Sequence, residues 1–436
     1  MTHASAAGTT PVKEDEPALY RKIIWKLIPF LCFCYLTAYL DRINVGFAKL
    51  QMVEDLHFSE TAFGLGAGLF FVGYILFEVP SNLMLEKIGA RIWIARIMIS
   101  WGLLSTCTLL VTTPEQFYIL RFLLGAAEAG FLPGVLYYLT QWFPSQRRGR
   151  VIALFMIGLP LSSIVGGPLS GWIMIHFDQL HGLRGWQWLF LLEGLPTILL
   201  GILTLRVLPS SYRQANWLNE QEKTQIALAL KQDEAESGHS HHRFREGFFN
   251  LKVWMLGGID FSILLSAYAL GFWMPTLIRQ AGVADPFHIG LLTALPSLAA
   301  LLGMLVIGAS SDRRRERRWH IIVPFVIGAI AMASSTFFAD NVIATVLLFA
   351  IAQATIIGAV PVFFSLPATF LTGTAAATGF ALACSLANIA GLVSNSLMGF
   401  ALDLTGSSAG ALWFFAACLL ASSLLVIALP AKIVNR

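Results

Sequence analysis

The chain has 436 residues, of which 56% are hydrophobic and only 12% charged, with a formal net charge of +4 and a mean hydropathy of +0.71. Soluble proteins carry roughly 25% charged residues, so this composition cannot coat a water-soluble globule of this length. The small net charge argues against a nucleic-acid binder as well, which leaves a polytopic membrane protein.

A hydrocarbon core about 30 Å thick needs roughly 20 apolar residues per helix. Twelve runs meet that need, beginning with Trp25 to Phe47, Thr61 to Leu85, Ile92 to Val111, Phe117 to Gln141, Arg150 to His176 and Trp186 to Val207. After a polar gap come Val253 to Ile278, Phe287 to Ser310, His320 to Ala339, Val342 to Phe370, Thr374 to Leu402 and Ala409 to Pro430. The slightest break, at Thr372-Gly373-Thr374, separates the tenth run from the eleventh. The expected fold is therefore all-α, with twelve transmembrane helices as two six-helix bundles. Residues 1–208 form the first bundle, 209–250 a cytoplasmic linker and 251–436 the second. Within the linker, Asn216 to Glu236 alternates charges among helix formers and predicts a short surface helix. The tract His239-Ser240-His241-His242 reads as solvated linker rather than a metal site.

Basic residues mark the cytoplasmic side of a membrane protein. Only Lys49, Arg184 and Arg279 fall at the opposite ends of the runs, while Arg42 and Arg121 lie inside them. The other 24 of the 29 Lys and Arg sit in or beside the amino terminus, the 2–3, 4–5, 6–7 and 8–9 connections, or the carboxyl terminus. Both termini are thus expected in the cytoplasm. The first run is too long, and too soon followed by another, for a cleaved signal peptide. Cys32, Cys34, Cys107, Cys384 and Cys418 all lie in apolar runs, where a thiol packs as a small hydrophobe, and no disulfide or metal spacing occurs.

A charge at the bilayer centre costs at least about 2.5 kcal/mol and tends to face a cavity or a partner. Asp41, Arg42, Glu78, Arg121, Glu128, Glu193 and Asp260 are such charges. With a rise of about 1.5 Å per residue, Arg42 lies roughly 7 Å and Arg121 about 6 Å below the outer face, nearly level. Glu128, two turns beyond Arg121, shares its helix face. Two guanidiniums and two carboxylates from the first and fourth helices thus meet in the outer half of a cavity. A guanidinium presents a planar fork that matches a carboxylate, and a carboxylate titrates according to its surroundings. The same four residues also fit two interhelical ion pairs, one acid with each Arg. Glu78, near the cytoplasmic surface, is expected to brace the basic 2–3 loop, Glu193 to brace a site near Arg184, and Asp260 to pair with a cytoplasmic base.

Each half carries a related element between its second and third runs. One reads Asn82-Leu83-Met84-Leu85-Glu86-Lys87-Ile88-Gly89-Ala90-Arg91, the other Gly308-Ala309-Ser310-Ser311-Asp312-Arg313 followed by Arg317-Arg318. An acid ending one helix and a tight basic turn can clamp a neighbouring helix end. The pair resembles the signature loop of the major facilitator superfamily, with Asn82 and Glu86 standing where Gly and Asp are usual. Three further stretches resemble its anion:cation symporter family. They are Tyr39 to Gly46, Arg121 to Gly134 (with Gly125, Glu128, Gly130 and Pro133) and Gly185 to Gly194 (with Trp186, Trp188 and Glu193). That family includes bacterial permeases for tartrate, phthalate, hydroxyphenylacetate and sugar acids.

The resemblance implies a proton-coupled symporter in the bacterial inner membrane, importing a small aromatic or hydroxy carboxylate by alternating access between two rocking halves. It implies that Arg42 contacts the substrate anion, that Asp41 and Glu128 carry the coupled protons, and that Arg121 serves the same acidic group. Tyr74, Trp273 and Asn388 are the expected neutral substrate contacts, with Tyr268, Gln353, Ser365 and Asn395 behind them. Glu86, Lys87, Gly89, Arg91, Asp312 and Arg313 are the expected conformational loop residues. The fifth run offers no amide, which leans against a highly hydroxylated substrate. A monomer with no cofactor and no metal, driven by the proton gradient, is expected. No nucleophile–base set and no Gly-Lys pair of a Walker A loop occurs, so neither an enzyme nor an ATP-driven pump is. The alternatives are a proton-driven exporter or antiporter and a facilitative exchanger of organic anions.

Overall fold

The computed structural model describes residues 16–236, 251–366 and 374–429, and every element of regular structure in them is helical. The tract His239 to His242 and the break at Thr372-Gly373 lie outside the described residues. The first half contains α1 (Glu16–Asp55), α2 (Glu60–Ile88), α3 (Ala90–Cys107), α4 (Pro114–Glu128), α5 (Phe131–Thr140), α6 (Ser145–Met156), α7 (Gly158–His176) and α8 (Gly185–Val207). A surface helix, α9 (Glu220–Glu236), follows. The second half contains α10 (Leu251–Gln280), α11 (Pro286–Arg314), α12 (Trp319–Ser335), α13 (Val342–Ile356), α14 (Val360–Ser365), α15 (Thr374–Thr405) and α16 (Ala409–Ala428). Eleven segments of the described residues are long and apolar enough to cross a membrane, and the 32-residue α15 supplies the twelfth. The outward sides of these helices are apolar, as at Leu199, Val306 and Leu424. Such a surface suits lipid, not water.

Three spans are broken where the sequence reads as continuous, the tenth of them between α13 and α14. The fourth stops at Glu128 and restarts at Phe131, because Gly130 adopts the left-handed conformation (φ 89°) that a side chain disfavours. A β-carbon there would also collide with the Ser81 hydroxyl. That hydroxyl donates to the carbonyl of Ala129 at 2.6 Å, which satisfies an acceptor freed by the break. The fifth span is interrupted at Ile157, between α6 and α7. The largest revision concerns α1. Its 40 residues run to Asp55, eight beyond the expected end at Phe47, so the helix outspans the bilayer.

The repeated loop elements work through their later basic residues. Gly89 turns the chain at φ 94° between α2 and α3, and Arg91 donates to the carbonyl of Leu205 and the hydroxyl of Ser210 at the end of α8. In the second half Arg318 donates to the carbonyl of Ile427 at the end of α16. In each half a guanidinium thus clamps the end of the sixth span, where unpaired carbonyls carry partial negative charge. Glu86, Lys87, Asp312 and Arg313 are exposed, and the side chains of the last two make no hydrogen bond among the described residues. The clamp of the second half is therefore Arg318, five residues beyond the expected pair.

The surface helix α9 docks on the first half. Lys22 reaches Glu222 at 2.8 Å, and Arg148 reaches Asp233 at 3.2 Å beside a bond from Ser145. The Ser145 hydroxyl, with Arg148 in support, holds the Asp233 carboxyl below its ordinary value. Because the docked pKa is the lower one, this contribution is present above the free aspartate value and is lost as pH falls through the docked value. The protection of α9 amides from hydrogen exchange, relative to their intrinsic rates at each pH, is therefore expected to fall in acid, and Asp233→Asn to reproduce that loss of protection at neutral pH.

Candidate functional site

The longer α1 changes the depth arithmetic. Arg42 lies thirteen residues, about 20 Å, from the end of α1, while Arg121 lies seven residues, about 10 Å, from the start of α4. The two arginines are not level. Glu128, fourteen residues into α4, is the group level with Arg42, and the two pair closely. Arg42 Nε donates to Glu128 Oε1 at 2.7 Å, and Nη2 lies 2.6 Å from the same oxygen. The rings of Tyr39, Phe70 and Tyr74 stand 5.2–5.3 Å from the Arg42 guanidinium and hold it by cation–π attraction.

Asp41 points away from this pair and takes no cation. Its carboxylate accepts from Trp101 Nε1 at 2.6 Å, Ser105 Oγ at 2.7 Å and Asn44 Nδ2 at 3.2 Å. Trp101 and Ser105 are one turn apart on α3, a pairing that span counting passes over. Arg121 is buried, lies 5.2 Å from the Phe70 ring, and leaves its Nε without a hydrogen bond. Of the two ion pairs the sequence allowed, one forms.

A cavity of about 190 Å³ opens between the halves beside Arg42. Its wall includes Tyr39 and Phe47 of α1, Ser163 of α7, Tyr268 and Phe272 of α10, Thr293 and Ser297 of α11, and Gln353 of α13. The Thr293 and Ser297 hydroxyls donate to their own helix, so they offer the cavity little. The side chain of Arg42 is 13% exposed against 3% for Glu128, so the guanidinium, not the carboxylate, reaches the cavity wall. Tyr74 is buried behind Arg42 and touches the site through it. Asn388 is half-buried and does not line this cavity. Ser365 donates to its own helix at the carbonyl of Val362.

Trp273 belongs to a different cluster, on the face distal to the described chain ends Glu16 and Leu429. It is fully buried, and its Nε1 donates to Asn395 Oδ1 at 3.0 Å. Its ring lies 4.3 Å from Lys49 Nζ. Lys49, two turns past Arg42 on α1, pairs with Glu60 at 2.6 Å and donates to Thr276 at 3.1 Å. Asp403 of α15 accepts from the backbone of Glu60 and Thr61 at 3.0 and 2.7 Å, capping α2. Arg279 meets Glu54 at 2.8 Å. Backbones also cross closely here, since a β-carbon at Gly64 would collide with Asn395. These contacts latch the halves shut on the distal face. Lys49 was readable in the sequence only as a stray base on the wrong side. Lys49→Met is expected to weaken the closed state by about 2 kcal/mol, the scale of a charged hydrogen bond. Cysteine labelling on the distal face should then rise in the variant.

The remaining buried acids differ from expectation. Glu193 accepts from Ser170 at 2.9 Å, whereas Arg184 pairs with Asp55 at 2.6 Å instead. Glu78 is half-buried and Asp260 buried, and neither forms an ion pair among the described residues. No group of three or more His, Cys, Asp or Glu side chains able to hold a metal occurs among the described residues.

The family model described as Major Facilitator Superfamily matches residues 31–395. A Pseudomonas putida protein named as the metabolite transport protein NicT is 77% identical over 99% of each chain. An Agrobacterium vitis protein named as a tartrate transporter is 42% identical over 95% of this chain and 92% of its own. The fold is similar to the partially occluded inward-open xylose transporter XylE of E. coli, with a TM-score of 0.72 at 14% identity over 94% of this chain and 98% of that one. The chain belongs to the major facilitator superfamily and is a membrane transporter, not an enzyme.

Proposed function

We propose that the protein imports a small organic carboxylate together with protons across a bacterial inner membrane, with both termini in the cytoplasm. One observation carries this reading: Arg42 stands between a cavity and Glu128. A substrate carboxylate and Glu128 compete for one guanidinium. A proton on Glu128 frees the fork for the substrate, and loss of that proton lets Glu128 recapture Arg42 and expel it. Asp41, held without a cation, is the second coupling acid. For a monoanion, one proton makes the cycle electroneutral. The distal latch supports assigning the present state to the cytoplasm-facing half of the cycle, after release, and the two halves rock between states.

The wall around Arg42 is mainly aromatic and aliphatic, its polar side chains being Tyr39, Ser163, Tyr268 and Gln353 beside the Thr293 and Ser297 hydroxyls, and α7 contributes no amide. That lining favours a carboxylate on an aromatic or compact apolar body over a polyhydroxylated acid, most of whose surroundings would be apolar. Uptake into proteoliposomes against a panel of aromatic and hydroxylated carboxylates tests the reading. An inward proton gradient is expected to drive accumulation of an aromatic monocarboxylate. Accumulation driven by outward proton flow would make the protein an exporter, and transport indifferent to the gradient would make it an exchanger.

A further inference from the structure

Two arginines sit on the lipid-facing sides of neighbouring helices at one end of the first half. On α3 the exposed Ile92, Leu103 and Cys107 mark the side turned away from the bundle. Arg96 shares that side, four residues from Ile92 and seven from Leu103. On α8 the exposed Leu195, Leu199, Ile202 and Leu203 mark the corresponding side, and the exposed Arg206 continues it. The two helices pack antiparallel, for a β-carbon on Gly102 would meet Ile198 and one on Gly201 would meet Ile99. From the Ile99–Gly201 crossing, Arg96 lies three residues and Arg206 five residues toward the same membrane face. At about 1.5 Å per residue the two differ in depth by about 3 Å.

Neither arginine takes an anion from the protein. Among the described residues, Arg96 and Arg206 form no salt bridge and donate no side-chain hydrogen bond, and Arg96 Nε is buried without a partner. The α3 helix contains no acid, and the one acid of α8, Glu193, is buried on Ser170, thirteen residues from Arg206. What holds Arg96 is Trp93, whose ring centre lies 3.8 Å from the guanidinium carbon. That ring is itself fixed, because its Nε1 donates to the Ser81 hydroxyl at 2.9 Å. Stacking covers a face of the planar cation and leaves its N–H edge unbonded, the edge that matches the oxygens of a phosphate. A charge at the margin of the hydrocarbon without a counter-ion is costly, so the edge calls for an anion from the membrane.

We propose that Arg96 and Arg206 bind the phosphate of an anionic phospholipid at the seam of α3 and α8, with Trp93 as the platform that aims Arg96. A zwitterionic headgroup fits less well, because its ammonium would enter a seam that offers no carboxylate. The α3 helix begins and α8 ends on the face that carries the described chain ends, which the proposed orientation makes the cytoplasmic leaflet. Lipid binding itself depends neither on that orientation nor on what is transported.

The test uses the full chain, purified in detergent, delipidated, and offered phosphatidylglycerol or phosphatidylcholine, with retained lipid counted by native mass spectrometry. Wild type is expected to prefer phosphatidylglycerol about tenfold, or about 1.4 kcal/mol. R96Q is expected to lose most of this preference and R206Q part of it. Arg96→Lys keeps the charge without the planar fork and is expected to fall between R96Q and wild type. R150Q removes an exposed base of α6 and is expected to keep the full preference. Thermal unfolding is the second readout: added phosphatidylglycerol should raise the melting temperature of wild type and R150Q but not of R96Q. An R96Q protein that retains phosphatidylglycerol as wild type does overturns the proposal. So do equal losses in R96Q and R150Q, which would reduce the effect to the general attraction of a basic face for anionic lipid. Displacement of the lipid by millimolar inorganic phosphate would overturn it too, by assigning the site to a free anion.

Discussion

Replacing Arg42 with alanine is expected to lower kcat/KM for the transported carboxylate by about a hundredfold. The reasoning is one of partners. In the present state the guanidinium satisfies Glu128 at 2.6 Å, and under the proposed function it satisfies the substrate in the loaded state. Truncating one member of a desolvated, hydrogen-bonded charge pair costs roughly 3 kcal/mol, and 1.4 kcal/mol is tenfold. Arg42→Lys should recover part of this and no more, because an ammonium keeps the charge but loses the fork that meets two carboxylate oxygens. Size-exclusion behaviour must stay monodisperse for the comparison to hold, since alanine leaves Glu128 buried without its cation. Uptake by the alanine variant at the wild-type rate would remove Arg42 from the substrate site.

Glu128→Gln is expected to abolish accumulation driven by an inward proton gradient while sparing substrate exchange. Glutamine keeps the size and one acceptor oxygen, so the break between α4 and α5 and the cation–π setting of Arg42 persist. What it loses is the negative charge that recaptures Arg42. Substrate binding to wild type should weaken as pH rises, because a deprotonated Glu128 reclaims the guanidinium. Binding to the variant should be as tight at alkaline pH as in acid. The direct measurement is a binding isotherm at two pH values, with counterflow exchange as the control for an intact cycle. A variant that still accumulates substrate against its gradient would move the coupling role elsewhere, with Asp41 the next residue to test.

Much of the fold was legible because membrane insertion imposes a one-dimensional rule. Apolar runs of the right length, interrupted by charge, delimit helices whatever their neighbours do, and over the described residues the expected spans after the first agree with the helices to within about five residues, the expected end of the tenth at Phe370 lying outside them. The first span failed that rule because α1 continues beyond the bilayer, where hydropathy no longer marks a helix. Its end at Asp55 comes from contacts with α8, such as the Arg184 pair. Eight residues of error there placed Arg42 opposite Arg121 instead of Glu128. The break at Gly130 was equally hidden. A glycine inside an apolar run reads as close packing until the Ser81 hydroxyl and the positive φ show a chain turned at that point.

The sequence by itself determined the compartment, the number of spans, the family and the short roster of charges that do not belong in lipid. Each of these follows from local composition or from motifs contiguous in the chain. The tertiary structure alone decided who pairs with whom: Arg42 with Glu128, Asp41 with Trp101 and Ser105, Lys49 with Glu60, and Glu193 with Ser170. Partners like these lie on different helices, and helix rotation and depth are set by side-chain packing that no single segment encodes.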